Sequence, residues 1–276
     1  MDYDEAVSFL VKKFVKNPSI FVIYTNALGD FPDILENPIK LSCGDLPHFP
    51  SKKKGCISPK LIFGKLNHQY ILVLQGRYHH HEGFSMEEVI FPVKIAYFLG
   101  CKKILITNAA GSVNNKFELG DIMVVRNHVD LSHPFAENVW KVLSENEKKE
   151  KKMYDVNFID VARKLSVEEG MDKYIRYGLY AMIGTSNFKS SEIKVFRNLG
   201  VDAVGTSMVT EIKIAAEFGM EIFAFCVMVD KGIFDYKNYP DPTPEDVSKA
   251  LEPKKKFIQK LLLKYIRYCD KANVIE

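Results

Sequence analysis

The sequence predicts an α/β fold, with a mixed central sheet flanked by helices, in a single domain over residues 1–276. Apolar runs of strand length alternate with amphipathic stretches of helical spacing. Several of these runs are apolar throughout, as in strands that are buried on both faces. A chain of 276 residues can form one large domain or two small ones. Neither an internal repeat nor an interdomain linker interrupts the pattern, which favours one domain.

The predicted elements follow from hydrophobic periodicity. In the first half they are a helix on Val7, Leu10 and Phe14, strands at 19–24, 61–63 and 70–74, a helix over 89–97, and strands at 104–107 and 122–125. Asn67-His68 lies between two of these strands and is a plausible hairpin turn. Residues 132–154 lack clear periodicity, which predicts a long loop of the kind that often forms a lid. Beyond it we predict a helix over 158–169, a strand at 180–183, a helix over 191–199, a central strand at 222–228, and a closing helix over 245–268 with Val247, Leu251, Ile258 and Leu262 on its buried side.

Composition excludes several classes of protein. The 38 basic and 35 acidic residues nearly balance, so nucleic acid is not implied as a partner, and the lysine clusters are typical of solvated surfaces. The first residues do not resemble a signal peptide, and no apolar run reaches the ~18 residues of a membrane span. The five cysteines are odd in number and include no C-x-x-C pair, which argues against a disulfide framework and against zinc. We therefore expect a cytoplasmic protein without a membrane partner.

Polar and small residues gather where predicted strands end, which is where ligands bind in such sheets. An arginine, histidines, hydroxyls and open backbone N–H groups together indicate an anion site, most naturally for phosphate. The segments concerned are 25–30, 75–83, 108–112 and 204–208. Each has a simpler interpretation, since a Gly-Arg pair after a strand is typical of a turn with a solvated arginine. His79 and His81 share one face of an extended segment, but without a Cys partner or His-x-x-x-His we expect no metal.

The ordered combination of these segments resembles the trimeric purine nucleoside phosphorylase and methylthioadenosine phosphorylase family, with this chain as a divergent member. The resemblance runs from about Phe21 to Val247. It is carried by Gly-Arg-Tyr-His-x-x-Glu-Gly at 76–83, Thr-Asn-Ala-Ala-Gly-Ser-Val-Asn at 107–114, Gly-Asp-Ile-Met at 120–123, and Leu-Gly-Val-Asp-Ala-Val-Gly at 199–205 followed by Glu211.

The resemblance implies an α/β domain in a homotrimer, with sites near the subunit boundaries. Members cleave the N-glycosidic bond of a purine nucleoside by phosphate attack on the anomeric carbon, giving free base and ribose 1-phosphate. Phosphate must be held beneath a sugar that becomes cationic, while the departing purine receives hydrogen bonds. The expected ligands are a small-molecule nucleoside and inorganic phosphate as co-substrate, with no cofactor.

The resemblance also assigns roles to individual residues. Phosphate would contact Asn26, Arg77, His79, the Ala109 backbone amide and Ser207. Ribose would contact His81, Met208 and Tyr180. The base would contact Ala110, Gly111, Phe188, Lys189, Val204, Thr206 and Asp230. Asp230 and His79 would be the catalytic groups, and no residue is assigned to a metal.

Several positions depart from the family pattern. Asn26 replaces a serine that contacts phosphate, and Ile57 replaces a histidine that does so. His81 stands in place of the usual tyrosine against the ribose. The histidine expected at the ribose 5′-hydroxyl falls near Pro244, and an apolar group there is closer to the methylthioadenosine branch. The aromatic residue that crosses to a neighbouring ribose would be Tyr154 or Phe135.

The base pocket changes most. Phe188 or Lys189 stands where the family has a glutamate, and Asp230 replaces an asparagine, with Val229 before it. Aspartate at this position resembles the methylthioadenosine and adenosine-accepting enzymes, in which it accepts from a 6-amino group and can protonate N7. To donate a proton Asp230 must have its pKa raised by burial, whereas a nearby Lys189 would favour the carboxylate. We hypothesise a salt bridge between Lys189 and Asp230; the alternative leaves Lys189 in solvent.

Three functions follow from these residues. The first is a purine nucleoside phosphorylase with altered base specificity, shifted toward 6-aminopurines. The second is a catalytically impaired relative that binds a nucleoside, a base or another small ligand. The third is a phosphorylase for a 5′-modified nucleoside such as methylthioadenosine. The phosphate-site residues Arg77, His79, Asn108 and Ser207 favour an enzyme.

Overall fold

The computed structural model describes residues 2–25, 28–29, 31–51, 53–132, 153–185, 190–231 and 242–272. The described chain forms two compact units. Unit 1 contains residues 1–107, 210–223 and 255–276, and unit 2 contains residues 108–209 and 224–254. Helices and strands alternate along the chain, so the predicted α/β class is confirmed. The prediction of a single domain stays a prediction.

Unit 1 holds one section of the sheet. Its strands are β1 (Ile20–Tyr24), β2 (Glu36–Ser42), β3 (Lys60–Leu66), β4 (Gln69–Gln75) and the first residues of β5 (Lys103–Ser112), in the order β2-β3-β4-β1-β5. β1 is parallel to β4 and β5, while β3 is antiparallel to β2 and β4. Every residue of β1 is buried, as its continuous apolar run predicts. Asn67 has a φ of 56° in the turn between β3 and β4, which confirms the hairpin.

The helices of unit 1 are α1 (Tyr3–Lys13), α2 (Met86–Phe98), α5 (Val209–Glu217, of which Val209 is in unit 2) and α7 (Lys255–Ala272). α2 begins with a capping box, in which Ser85 and Glu88 satisfy each other's backbone N–H groups. This cap fixes where α2 starts. The segment 76–85, which carries the conspicuous histidines, is thereby held between the end of β4 and the start of α2.

Unit 2 contains paired strands as well. The end of β5 pairs with β8 (Ala203–Gly205), and the order continues through β7 (Ile175–Ile183) and β6 (Ile122–Leu131) to β9 (Glu221–Lys231). β7 is parallel to β6 and β8, whereas β9 is antiparallel to β6. The helices are α3 (Val156–Glu168), α4 (Ser190–Asn198) and α6 (Pro244–Leu251).

One predicted element is wrong. The closing helix predicted over 245–268 is broken: α6 ends at Leu251, a 3₁₀ turn covers Glu252–Lys254, and α7 begins at Lys255. Pro253 lies in the turn, and proline inside an α-helix removes a backbone donor and clashes with the preceding turn. Leu251, Ile258 and Leu262 are buried as predicted, while Val247 is half-buried.

The other predicted helices and strands are present, and most are longer than predicted. β2, β8 and α5 were not predicted. The predicted loop at 132–154 falls mostly on residues 133–152, which lie outside the described residues. Among the helices that the structure describes, none combines the length and the hydrophobicity that a bilayer crossing requires.

Candidate active site

Arg77 is a buried cation that follows β4. Gly76, with a φ of 85°, turns the chain after the strand. The Arg77 side chain is 5% exposed, and its Nη1 lies 3.4 Å from Oε1 of Glu211, which is 3% exposed. Nη2 donates to the Thr107 carbonyl oxygen at the middle of β5. Two partners on different elements therefore fix the guanidinium plane, as a bidentate anion contact requires.

His79 lies two residues further along the same segment. Its Nδ1 is 3.0 Å from Oε2 of Glu82, which orients the imidazole. Burial lowers the pKa of His79, and the Arg77 guanidinium lowers this pKa further, while Glu82 acts in the opposite direction. The His81 ring lies beside it, with ring centroids 4.9 Å apart. The structure thus brings together Arg77, His79 and His81, which the sequence assigned to phosphate and ribose.

An open cavity of about 390 Å³ adjoins these side chains in unit 1. Its lining comprises residues 55–60, Gln75, Gly76, Arg77, His79 and Glu82. Ile57 is in this lining and is 86% exposed. The isoleucine side chain offers no hydrogen bond to an anion in this cavity, whereas Arg77 and His79 in the same lining can donate.

Unit 2 contains a closed hydrogen-bond cycle of three residues. Asn108 Nδ2 donates to the Tyr180 hydroxyl at 3.0 Å, the Tyr180 hydroxyl donates to the Ser207 carbonyl oxygen at 3.0 Å, and Ser207 Oγ donates to Asn108 Oδ1 at 3.2 Å. All three residues are buried. The cycle ties the middle of β5 to β7 and to the segment after β8, so it sets the position of Ser207.

Tyr180 and Met208 were assigned to the ribose. Tyr180 is fully buried and its hydroxyl is engaged by both partners of the cycle. We therefore assign Tyr180 to support of Asn108 and Ser207 rather than to the ligand. Met208 is fully buried and has a φ of 84°, which is rare for a residue with a side chain. Such strain persists where the surroundings hold it, and it often marks a functional site.

The small residues assigned to the base, together with Ala109 of the phosphate assignment, lie in the second half of β5 and in or directly after β8 in unit 2. Ala109 and Gly111 are half-buried, Ala110 and Val204 are buried, and Thr206 is half-buried. Asp230 is half-buried at the end of β9. Asn26, Phe188, Lys189 and Phe135 lie outside the described residues, and the hypothesised salt bridge between Lys189 and Asp230 falls there with them.

One further assignment changes. Tyr154 is 5% exposed and its hydroxyl is 2.8 Å from Nδ1 of His128, so within unit 2 it is a core side chain rather than one that reaches a neighbouring subunit. Pro244 is the exposed first residue of α6, directly after the Thr243 N-cap. Proline is favoured at this helix position. A place for Pro244 near the ribose 5′ end stays a prediction.

Sequence reasoning did not identify three supporting residues. Glu211 neutralises Arg77, Glu82 orients His79, and Thr107 accepts from Arg77 through its backbone. Both acidic residues lie in segments that carry the resemblance, but a spacing of 134 residues between Arg77 and Glu211 gives no signal that they pair.

Comparison with known proteins identifies the family. The sequence model of the phosphorylase superfamily matches residues 21–267. A purine nucleoside phosphorylase of Bos taurus is 32% identical over 268 residues, which are 94% of this chain and 91% of the relative. Two structures of Schistosoma mansoni purine nucleoside phosphorylase each match 96% of this chain and 95% of their own: one with inosine, at 26% identity and a TM-score of 0.83, and one with adenosine, at 25% and 0.81. The protein belongs to the phosphorylase superfamily and is an enzyme of the purine nucleoside phosphorylase type.

Proposed function

We propose that this chain cleaves purine nucleosides with inorganic phosphate, giving the free base and ribose 1-phosphate, and that its base preference is shifted toward 6-aminopurines. The observation that carries the proposal is the buried Arg77 guanidinium. It is held by Glu211 and Thr107, lies close to His79, and adjoins an open cavity. A buried guanidinium that is fixed in this way can bind one anion through two parallel hydrogen bonds.

In this reaction an oxygen of phosphate forms a bond to the anomeric carbon of the ribose. The carbon–nitrogen bond breaks, and its electron pair leaves with the purine. Arg77 and His79 would hold the phosphate oxygens, and the dianion would raise the proton affinity of the His79 imidazole that Glu82 orients. The resemblance assigns Ser207, whose Oγ donates to Asn108, to phosphate as well. The phosphate would be both nucleophile and counter-charge to the cationic sugar, so no cofactor is required.

Asp230 supports the shift in base preference. A carboxylate accepts a hydrogen bond from a 6-amino group but repels a 6-oxo group. When protonated, it can donate to N7 of the leaving base. The structurally similar Schistosoma mansoni enzyme has been crystallised with inosine and with adenosine, so the same fold accommodates both classes of base.

The test is release of free base from inosine, guanosine, adenosine and methylthioadenosine, each with and without phosphate. We expect phosphate-dependent release, with the highest kcat/KM for adenosine. Arg77→Lys keeps the charge, but an ammonium group cannot form the two parallel hydrogen bonds of a guanidinium. We therefore expect kcat/KM for phosphate to fall by about 10²-fold. Arg163→Lys, on an exposed position of α3, is the matched control and leaves the rate unchanged. Release that does not need phosphate, or none from a folded protein, contradicts the proposal.

The proposal includes assembly as a homotrimer in the cytoplasm, in purine salvage. It rests on the resemblance to trimeric relatives. Sedimentation equilibrium of the purified chain tests it: a mass of about three chains agrees with the proposal, and a monomer at assay concentration contradicts it.

A further inference from the structure

Three potential metal ligands meet in the segment between β4 and α2. His79, His81 and Glu82 each offer one ligand atom, and these atoms all lie within 4.8 Å of one another. Two imidazoles and one carboxylate, completed by water, are a ligand set that binds Zn²⁺ in proteins. The sequence alone did not predict it, because the spacing lacks the His-x-x-x-His pattern of helical zinc sites.

The local backbone explains why these residues meet. His79 is the residue before a 3₁₀ turn formed by His80–Glu82, and Gly83, with a φ of 88°, ends that turn. The ligands are therefore carried by four consecutive residues. Tetrahedral Zn²⁺ with bonds of about 2.0–2.1 Å needs ligand atoms about 3.4 Å apart. The ligand atoms already lie within 4.8 Å of one another, so each pair would have to close by at most about 1.4 Å to reach that spacing.

The charges around the trio decide how tightly a metal is held. The Glu82 carboxylate favours a cation, and the exposed His81 gives access from solvent. Arg77 lies close to His79, and Lys53 Nζ donates to the Gly83 carbonyl oxygen, so two positive charges oppose the metal. We therefore expect reversible binding, weaker than at a structural zinc site.

We propose that His79, His81 and Glu82 form a Zn²⁺ site and that zinc bound there inhibits the enzyme. Inhibition follows because the metal takes the imidazole of His79, which the proposed function assigns to phosphate. The inhibitory part rests on that proposed function, whereas zinc binding itself does not.

A second group, Asp2, Glu5 and His48, also has ligand atoms within 4.8 Å of one another. All three residues are exposed, and only one of them is an imidazole. His48 already pairs with Glu5 at 2.5 Å. One imidazole with two exposed carboxylates is the poorer set for zinc.

Binding is measured without any nucleoside. Co²⁺ replaces Zn²⁺ as a spectroscopic probe, since tetrahedral cobalt gives intense visible bands, and Zn²⁺ affinity is then measured by competition with a chromogenic chelator. We expect His81→Gln to weaken zinc binding by about 10-fold or more and to abolish the cobalt bands. His80→Gln is the matched control: His80 belongs to the same turn, but its Nδ1 is bonded to the Phe84 carbonyl oxygen at 2.9 Å. His48→Gln assigns any second site.

Loss of the cobalt bands in His81→Gln but not in His80→Gln or His48→Gln supports the site. Wild-type affinity in His81→Gln, or equal loss in His80→Gln, overturns it. For inhibition, each variant is compared with its own metal-free rate. We expect Zn²⁺ to inhibit the wild type and His80→Gln at about 10-fold lower concentration than His81→Gln. Zinc that binds at the trio without inhibiting the enzyme contradicts the proposed inhibition. If the chain has no phosphorolysis activity, the cobalt spectra still test whether the trio binds metal.

Discussion

Gly205 lies against the hydroxyl of Tyr180 so closely that a Cβ on Gly205 would overlap it. That hydroxyl accepts a hydrogen bond from Asn108 and donates one to the Ser207 carbonyl oxygen. The backbone of Gly205 is not in the left-handed region, so its lack of a side chain serves space rather than conformation. The absence of one carbon thus allows the hydrogen bonds that place Ser207.

Gly205→Ala should displace Tyr180 and open the cycle. We expect the free energy of unfolding to fall by about 1–3 kcal/mol, as for other overpacked cores. We also expect kcat/KM for phosphate to fall by about 10-fold, because Ser207 loses its support. Denaturant unfolding and phosphate-dependent base release measure the two effects.

Combining Gly205→Ala with Tyr180→Phe tests whether the destabilisation comes from the clash between the added Cβ and the Tyr180 hydroxyl. Tyr180→Phe removes the hydroxyl and costs the two hydrogen bonds that it makes. With that oxygen gone, Gly205→Ala should be destabilising by at least about 1 kcal/mol less than in the wild type. Strictly additive effects would show that the clash with the hydroxyl is not the cause.

Much of the fold could be predicted because its elements differ in pattern. β1 and β9 are continuous apolar runs, and α1 and α7 repeat at helical spacing. β8 has three residues and β2 is largely exposed, so neither carries the alternation or the apolar run that marks a strand. The break before Lys255 depends on Pro253, which acts locally against a strong helical pattern.

The site was only partly predictable for a different reason. Arg77, His79 and Ser207 lie in segments whose order along the chain resembles a known family. Their supports do not: Arg77 pairs with Glu211 at a separation of 134 residues, and Tyr180 bonds Asn108 at a separation of 72. Such pairs are set by strand order, which single-sequence patterns do not specify. The same limit led us to assign Tyr180 to the ribose.

Glu211 is predicted to be a positioning residue for Arg77. Glu211→Gln keeps the shape of the side chain but removes the negative charge that lies 3.4 Å from the guanidinium of Arg77, whose side chain is 5% exposed. Loss of one partner of a buried ion pair should lower the free energy of unfolding by about 3 kcal/mol. Urea denaturation measures this change.

The matched control is Glu217→Gln on the exposed side of the same helix, α5. We expect it to change the free energy of unfolding by no more than about 0.5 kcal/mol. Equal effects of the two substitutions would mean that the pair with Arg77 contributes nothing specific.

Cys56 is predicted to be the one fast-reacting thiol of the native chain. Cys43, Cys101, Cys226 and Cys269 are buried, whereas Cys56 is half-exposed in the lining of the cavity beside Arg77. Burial raises the pKa of Cys43 to about 12 and raises the pKa values of Cys101 and Cys226 as well, so their thiolates are scarce.

We expect a disulfide reagent to modify one thiol rapidly in the folded protein and none in Cys56→Ser. Because Cys56 lines the same cavity as Arg77 and His79, saturating phosphate should slow the modification by several-fold. Rapid reaction of a second thiol would contradict the burial of the other four. A rate unchanged by phosphate would place the anion elsewhere.

Asp230 is predicted to determine the base. Asp230→Asn keeps the size of the side chain, removes the carboxylate charge that repels a 6-oxo group, and adds an N–H₂ donor that can pair with that group. A site that pairs a polar group correctly discriminates strongly against a substrate that cannot pair with it. We expect the ratio of kcat/KM for adenosine to that for inosine to fall by about 10²-fold, with the KM for phosphate unchanged as the internal control. If kcat/KM falls equally for adenosine and for inosine, Asp230 is a general catalytic group rather than a selective one. If neither value changes, other residues determine the choice of base.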